Sequence, residues 1–253
     1  MNSLPLISRF LFIALGCAIS LPSFAQVSPE VRQLFYQGYL TATKAPWEQA
    51  IEIINQDASL DETQKIHAIT EAQCGLLNYT MANQDEATYE AVADDMEANL
   101  ETLLEQDSDD AVALAKMAQL LGATMSFKRW KAMYLSPKSE ELGSRALKAD
   151  PESPEAWMQR GGSRLFTPEM FGGDVDEAVA AYQKAVQYYE AQPDHTNNWR
   201  YLDALAWLGQ AHQKAEQTSE AIATYQKALE VEPNFGWVKY KLMPQVIAKS
   251  SSK

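Results

Sequence analysis

Cysteine is nearly absent from this chain. Two occur in 253 residues, Cys17 and Cys74, which excludes the disulfide framework of small secreted domains. Histidine is as scarce, at His67, His195 and His212 only. No Gly-x-Ser-x-Gly elbow, phosphate-binding loop or dinucleotide fingerprint occurs, so the common nucleophile and nucleotide sites are excluded by motif. His67 and Cys74 lie seven apart, near one helical face, and two ligands do not close a zinc site. The acidic run Asp107-Ser108-Asp109-Asp110 lacks the glycine and terminal glutamate of a calcium loop and reads as a helix N-cap. Residues 47–136 contain no proline, which suits long helices. Asn-Gly and Asp-Gly hairpin signals are missing and no stretch alternates with period two, so strands are not expected. Basic residues are few: 21 against 34 acids, net −13. That balance disfavours nucleic acid as a partner.

Hydrophobic residues supply 46% of the chain, enough for a packed core. The first 25 residues are read apart from it. Arg9 precedes an apolar stretch over 10–19, then come Pro22 and Ser23-Phe24-Ala25. This is the layout of a secretory signal peptide cleaved after Ala25. A second reading takes Ala14-Leu15-Gly16-Cys17 as a loose lipobox, with Cys17 as a lipid tether. Under the first reading Cys74 is the sole remaining cysteine. Its apolar helical surroundings (Ile66, Ile69, Leu77) make it a buried, inert thiol.

Repetition organises the rest. From Leu202, taken as position 1, Leu205, Leu208, Gly209, His212, Ala221, Tyr225, Ala228 and Pro233 fall at 4, 7, 8, 11, 20, 24, 27 and 32. This is tetratricopeptide spacing, with His212 where an aromatic is usual. Gly209 and Ala221 are small where two antiparallel helices touch, and Pro233 ends the second helix. A second unit carries Trp157, Gly161, Ala178, Tyr182 and Ala185, with five residues inserted in its turn. Asp174 and Glu177 then form a capping box. A weaker third unit pairs a helix over 110–124 with one starting near Ser136-Pro137, across an overlong connection at 125–135. Upstream, Tyr89, Val92, Met96, Leu100, Leu103 and Leu104 mark one apolar helical stripe. The expected fold is an all-α, right-handed tetratricopeptide-type solenoid of about ten helices. Residues 26–108 form a divergent acidic helical region and 109–242 the repeats. Residues 235–242 cap the end, with Phe235, Trp237 and Tyr240 as the seal, and 243–253 are a tail.

Four phrases occur together: Ser136-Pro137-Lys138-Ser139; Phe166-Thr167-Pro168 through Phe171-Gly172-Gly173-Asp174; Ala204-Leu205-Ala206-Trp207-Leu208-Gly209-Gln210; and Glu232-Pro233-Asn234-Phe235-Gly236-Trp237-Val238-Lys239-Tyr240. Over 109–242 the chain resembles a group of exported bacterial tetratricopeptide-repeat proteins with a Gly-Gly-Asp insertion. It is similar, more loosely, to the periplasmic repeat subunits of TRAP-type solute transporters. The resemblance implies the bacterial envelope and a repeat solenoid, and supplies no ligand; with the leader, the expected compartment is the periplasm of a Gram-negative bacterium.

Two contact sites emerge. The first is the groove face of the last repeat: Asp203, Ala206, Gln210, Gln213 and Lys214, with Trp207 alongside. Polar side chains around a tryptophan suit peptide capture and equally suit a solvated helix face. The second is the connection around Lys128, Arg129, Trp130 and Lys131, where cations and aromatics crowd together. Its aromatics either meet a partner or tuck under neighbouring repeats. No residue set calls for a cofactor, a metal or a catalytic role. The reading is a non-enzymatic exported scaffold that binds a protein or peptide; the alternative is a small-ligand accessory subunit of a transporter.

Charge sharpens the division. Residues 45–115 hold 17 acids and one base, Lys65, a net −16, whereas 116–253 hold 17 bases and 16 acids. The acidity belongs to the divergent helices and the repeats are close to neutral.

Overall fold

The computed structural model describes residues 27–250. The leader and lipobox expectations lie outside them. Helix makes up 83% of the structure and, among the described residues, no strand occurs. Ten helices form five antiparallel pairs: α1 (Pro29–Thr41) with α2 (Ala45–Gln56), α3 (Glu62–Asn83) with α4 (Glu86–Gln106), α5 (Ala111–Phe127) with α6 (Ala132–Ala149), α7 (Pro154–Phe166) with α8 (Val175–Glu190), and α9 (Trp199–Lys214) with α10 (Thr218–Val231). Helix α11 (Met243–Ser250) follows a π turn at Val238–Leu242. Local chemistry sets the starts. Ser28, Asp61, Asp85, Asp110, Ser153, Asp174 and Asn198 each accept a backbone N–H at an N-cap, which satisfies donors that no helix can.

Odd-numbered helices pack in succession, α1 on α3, α3 on α5 and α5 on α7. Then α9 meets α1, so the row returns on itself. Two cores result. The first gathers Phe35, Trp47, Leu77, Met96 and Leu114 and takes in Trp199 of α9. The second is built from α8, α9 and α10, with Tyr36, Tyr39 and Leu40 of α1 packed against it. Helices α1 and α9 therefore each contribute to the other's core. Tyr36 donates to Glu232 at 3.3 Å, Arg32 pairs with Asp194 at 3.7 Å, and the Tyr39 ring lies 5.5 Å from that of Phe235.

Five expectations need correction. The connection at 125–135 is not overlong: α5 runs to Phe127, Arg129–Lys131 form one 3-10 turn, and α6 starts at Ala132. Pro137 lies inside α6. Its missing N–H removes one bond near the open end of the helix, too little to set the start there. Residues 243–250 are not a tail either, because α11 continues past Pro244 and buries Val246. The wide π turn just before Pro244 takes up the gap its missing N–H leaves. Tyr240 seals nothing, being 75% exposed, while Phe235 is buried and Trp237 half-buried. Finally, the capping box at Asp174 is half made. Asp174 accepts the Glu177 N–H at 2.9 Å, but the Glu177 carboxylate turns away to Arg160 and Arg164, 2.9 and 2.8 Å from their Nε atoms. Two guanidinium groups hold that carboxylate more firmly than one backbone N–H.

Candidate functional site

The inner face is filled by the chain itself. Tyr39 of α1 donates to the Asp203 carboxylate at 2.9 Å, and Asp203 is 8% exposed. Trp199 meets Tyr39 at 5.4 Å and Trp47 at 5.2 Å between ring centroids. Deeper still, Glu71 of α3 lies between Lys116 of α5 and Arg200 of α9. Burial pushes the Asp203 carboxyl up to about 6, against the Tyr39 hydrogen bond and the Arg200 charge. An acid whose folded pKa is raised holds its proton longer when folded. The resulting stability is present below the unfolded value of 3.8 and is lost as pH rises through about 6. Asp203→Asn is therefore expected to match wild type near pH 4 and to exceed it by about 2–3 kcal/mol near pH 7. Urea unfolding at both pH values checks this, and an equal offset at both would refute it.

The remaining groove residues run outward along α9. Trp207 is half-buried, edge-on to Phe166 at 5.3 Å and to Trp237 at 5.6 Å. Gln210 is half-buried beside it, and exposed Lys214 donates its ammonium to the Leu165 carbonyl at 2.5 Å. Asp203 is thus closed off under α1, while Trp207 and Lys214 reach the end of α7, where the α7–α8 connection begins.

That connection belongs to the outer edge. All five odd-to-even connections lie at one edge of the solenoid, because the odd helices run side by side in the same sense. On the α5–α6 hairpin, Lys128 pairs with Glu90 at 3.2 Å and sits over the Tyr89 ring. Arg129 is exposed, Trp130 is 72% exposed, and Lys131 lies over the Trp130 ring at 5.6 Å. Met133 and Tyr134 follow on the same face, also exposed. On the next hairpin, Phe166, Met170 (82%) and Phe171 (72%) are exposed. Gly173 shapes this insert. Thr167 stands so close that a Cβ on Gly173 would lie 1.8 Å from its carbonyl oxygen, and so the chain folds back on itself there.

The two hairpins are locked side by side. Glu140 of α6 accepts from Arg160 at 2.6 Å, Ser163 at 2.7 Å and Arg164 at 2.9 Å, all on α7. With α6 and α7 antiparallel, the start of α6 runs alongside the end of α7. Among the described residues eight large apolar side chains are exposed, and six of them stand on this edge. The sequence signalled Trp130. Phe166, Met170 and Phe171 appeared only as motif letters, because an apolar residue outside any helical stripe gives no sign of facing solvent.

Catalytic geometry does not assemble around the histidines. His67 Nε2 meets Asp110 at 3.1 Å, His195 bonds the Gln192 carbonyl and His212 bonds the Gln217 side chain. Each such contact fixes a helix end or turn. Burial pushes the Cys74 thiol up, which keeps it inert. No group of three metal-ligating side chains comes together among the described residues, and none of their helices is long and apolar enough to cross a membrane.

Residues 202–235, from the start of α9 past the end of α10, match the tetratricopeptide repeat family. The fold is a tetratricopeptide-type solenoid. No match to the chain is found among curated proteins. Several solved structures are similar. One is the HusA haemophore from Porphyromonas gingivalis: 17% identity, 75% of this chain and 95% of that one covered, TM-score 0.59. Another is TTC0263, a thermophilic TPR protein from Thermus thermophilus: 18% identity, 88% and 94% covered, TM-score 0.50. At these identities the likeness is one of fold.

Proposed function

We propose that this solenoid is an exported, non-enzymatic scaffold of the bacterial envelope that binds a protein partner through its aromatic edge. One observation carries the reading: of eight exposed large apolar side chains among the described residues, six gather on two neighbouring hairpins. Such patches mark interaction sites, and aromatic residues, methionine and arginine are the side chains favoured there. Phe166 links this edge to Trp207 and, through Leu165, to Lys214, so the edge takes in the outer part of the groove face. The periplasm is the proposed compartment, on the strength of the leader-like first 25 residues. The alternative, an accessory subunit holding a small ligand for a transporter, calls for an enclosed apolar cavity. The scaffold reading is preferred because Tyr39, Trp199, Glu71 and Arg200 fill the space inside the row of odd-numbered helices.

Photocrosslinking in the native host tests the proposal. A benzophenone side chain at Trp130, Tyr134 or Phe171 is expected to give a discrete protein adduct, and one at exposed Gln226 of α10 is not. The edge positions are solvent-facing, so these changes should alter stability by no more than about 0.5 kcal/mol. The same adducts at Gln226, or none at the edge, would overturn the assignment. Adducts to lipid alone would make the edge a membrane contact instead.

A further inference from the structure

A second surface lies away from the aromatic edge. Helices α2 and α4 stand apart over α3 and leave an open groove of about 690 Å³. Ile69 and Leu76 of α3 form its floor, with Ile51 of α2 and Val92 of α4 at the sides. Ala91 and Ala98 keep the α4 wall low where longer side chains would have closed it. The α2 contribution runs from Lys44 to Asn55, which is about 16 Å along a helix axis. The space is therefore long, narrow and apolar at its base, and it matches three turns of another helix. In the floor, Asn99 donates to Gln73 at 3.3 Å, a paired-amide contact beside the apolar strip.

Charge decides what kind of helix fits. Glu48 and Asp95 stand on the rim, and Lys44, the base beside them, is paired to Glu48 at 3.6 Å. The segment that builds the groove, 44–99, holds 12 acids and two bases, a net −10. An anionic surface, such as one of anionic lipid, would be repelled. A helix with one apolar seam and lysine or arginine on both flanks would bury the seam and set its cations against Glu48 and Asp95. We propose that the groove between α2 and α4 seats one cationic amphipathic helix of a partner protein. The proposal rests on the scaffold reading but not on the aromatic edge, and the two can fail separately.

The probe is a fluorescein-labelled peptide of about 14 residues, leucine along one helical seam and lysine elsewhere. A scrambled peptide of the same composition and a leucine–glutamate version serve as comparators. Fluorescence anisotropy with the whole protein is expected to show binding of the leucine–lysine helix at least about tenfold tighter than either comparator. Ala91→Leu fills the groove without changing charge, and Asp95→Lys reverses one rim charge. Both positions are exposed, so the fold should persist, and each variant is expected to weaken binding about tenfold or more. Gln226→Ser, at an exposed position on α10 outside both surfaces, should bind as wild type does. Equal binding of the scrambled peptide, or unchanged binding by Ala91→Leu, would mean adsorption to an acidic surface and overturn the proposal. Failure of wild type to bind the probe would overturn it too, and leave the edge crosslinks as they stand. Self-association that Ala91→Leu abolishes would seat a second copy in the groove and overturn the partner assignment.

Discussion

Replacing Glu71 by glutamine is expected to destabilise the fold by about 3–5 kcal/mol. The Glu71 carboxylate accepts from Arg200 Nε at 2.6 Å and lies 3.3 Å from Lys116 Nζ. Lys116 also donates to the His67 carbonyl and the Thr70 hydroxyl, both at 3.1 Å, and the Arg200 guanidinium lies 4.7 Å from the Trp199 ring centroid. All three charged residues are buried. Burial alone would raise the Glu71 carboxyl; the charges of Arg200 and Lys116 outweigh it and bring it down to about 2. Glutamine keeps the shape and removes the charge, so two cations are left in the interior with their shared anion gone.

The cluster joins α3, α5 and α9, so its loss should also loosen the return of α9 to α1. A companion variant separates net worth from truncation cost. Glu71→Leu with Lys116→Met and Arg200→Met removes all three charges and is expected to recover most of the loss, because the desolvation of three ions vanishes together. Urea titrations of wild type, single and triple variants measure this. A single variant within about 1 kcal/mol of wild type would show that the cluster is hydrated and contributes little.

What the sequence discloses follows contact distance along the chain. The last repeat was legible because its contacts are local. Gly209 faces Tyr225, and a Cβ on Gly209 would lie 2.2 Å from the tyrosine ring, so spacing alone encodes the packing. Gly161 and Tyr182 repeat the arrangement across the insert, with that Cβ 2.8 Å from the ring. The return of α9 to α1 was not legible. Tyr39 and Asp203 are 164 residues apart, and neither breaks a local rule. Asp203 reads as a solvated groove residue until α1 covers it. Arg200 follows a tryptophan on α9 as any surface arginine might, and only the fold brings it to Glu71. The α2–α4 groove is hidden for another reason: it is made by the small size of Ala91 and Ala98, and alanine is the most ordinary residue a helix can carry. Of the candidate site, Trp130 and its cations were visible as a local excess. The second hairpin was visible only as an insertion, whose exposure depends on how it folds over the end of α7.

Two glycine-to-alanine substitutions should move stability in opposite directions. Both remove a flexible residue from a helix interior, which by itself favours the fold by about 0.5–1 kcal/mol. Gly122 in α5 has open space around its missing Cβ, so Gly122→Ala should realise that gain. Gly75 in α3 does not. A Cβ there would lie 2.4 Å from two carbons of the Trp47 ring, and Gly38 of α1 approaches the same indole from elsewhere, its Cβ position 2.4 Å from Nε1. The ring is 1% exposed, stacked on Phe35 at 5.6 Å and edge-on to Trp199 at 5.2 Å, so it has nowhere to move. Overpacking of a held ring outweighs the propensity term, and Gly75→Ala is expected to lose about 2–3 kcal/mol net. Trp47→Phe shortens the ring and should return part of that loss when combined with Gly75→Ala, a coupling that a double-mutant cycle reads directly. Gains in both glycine variants would mean that the Trp47 wedge has slack. Because that wedge meets Trp199 of α9, slack there would also undo the argument that α1 and α9 are held together by packing that cannot yield.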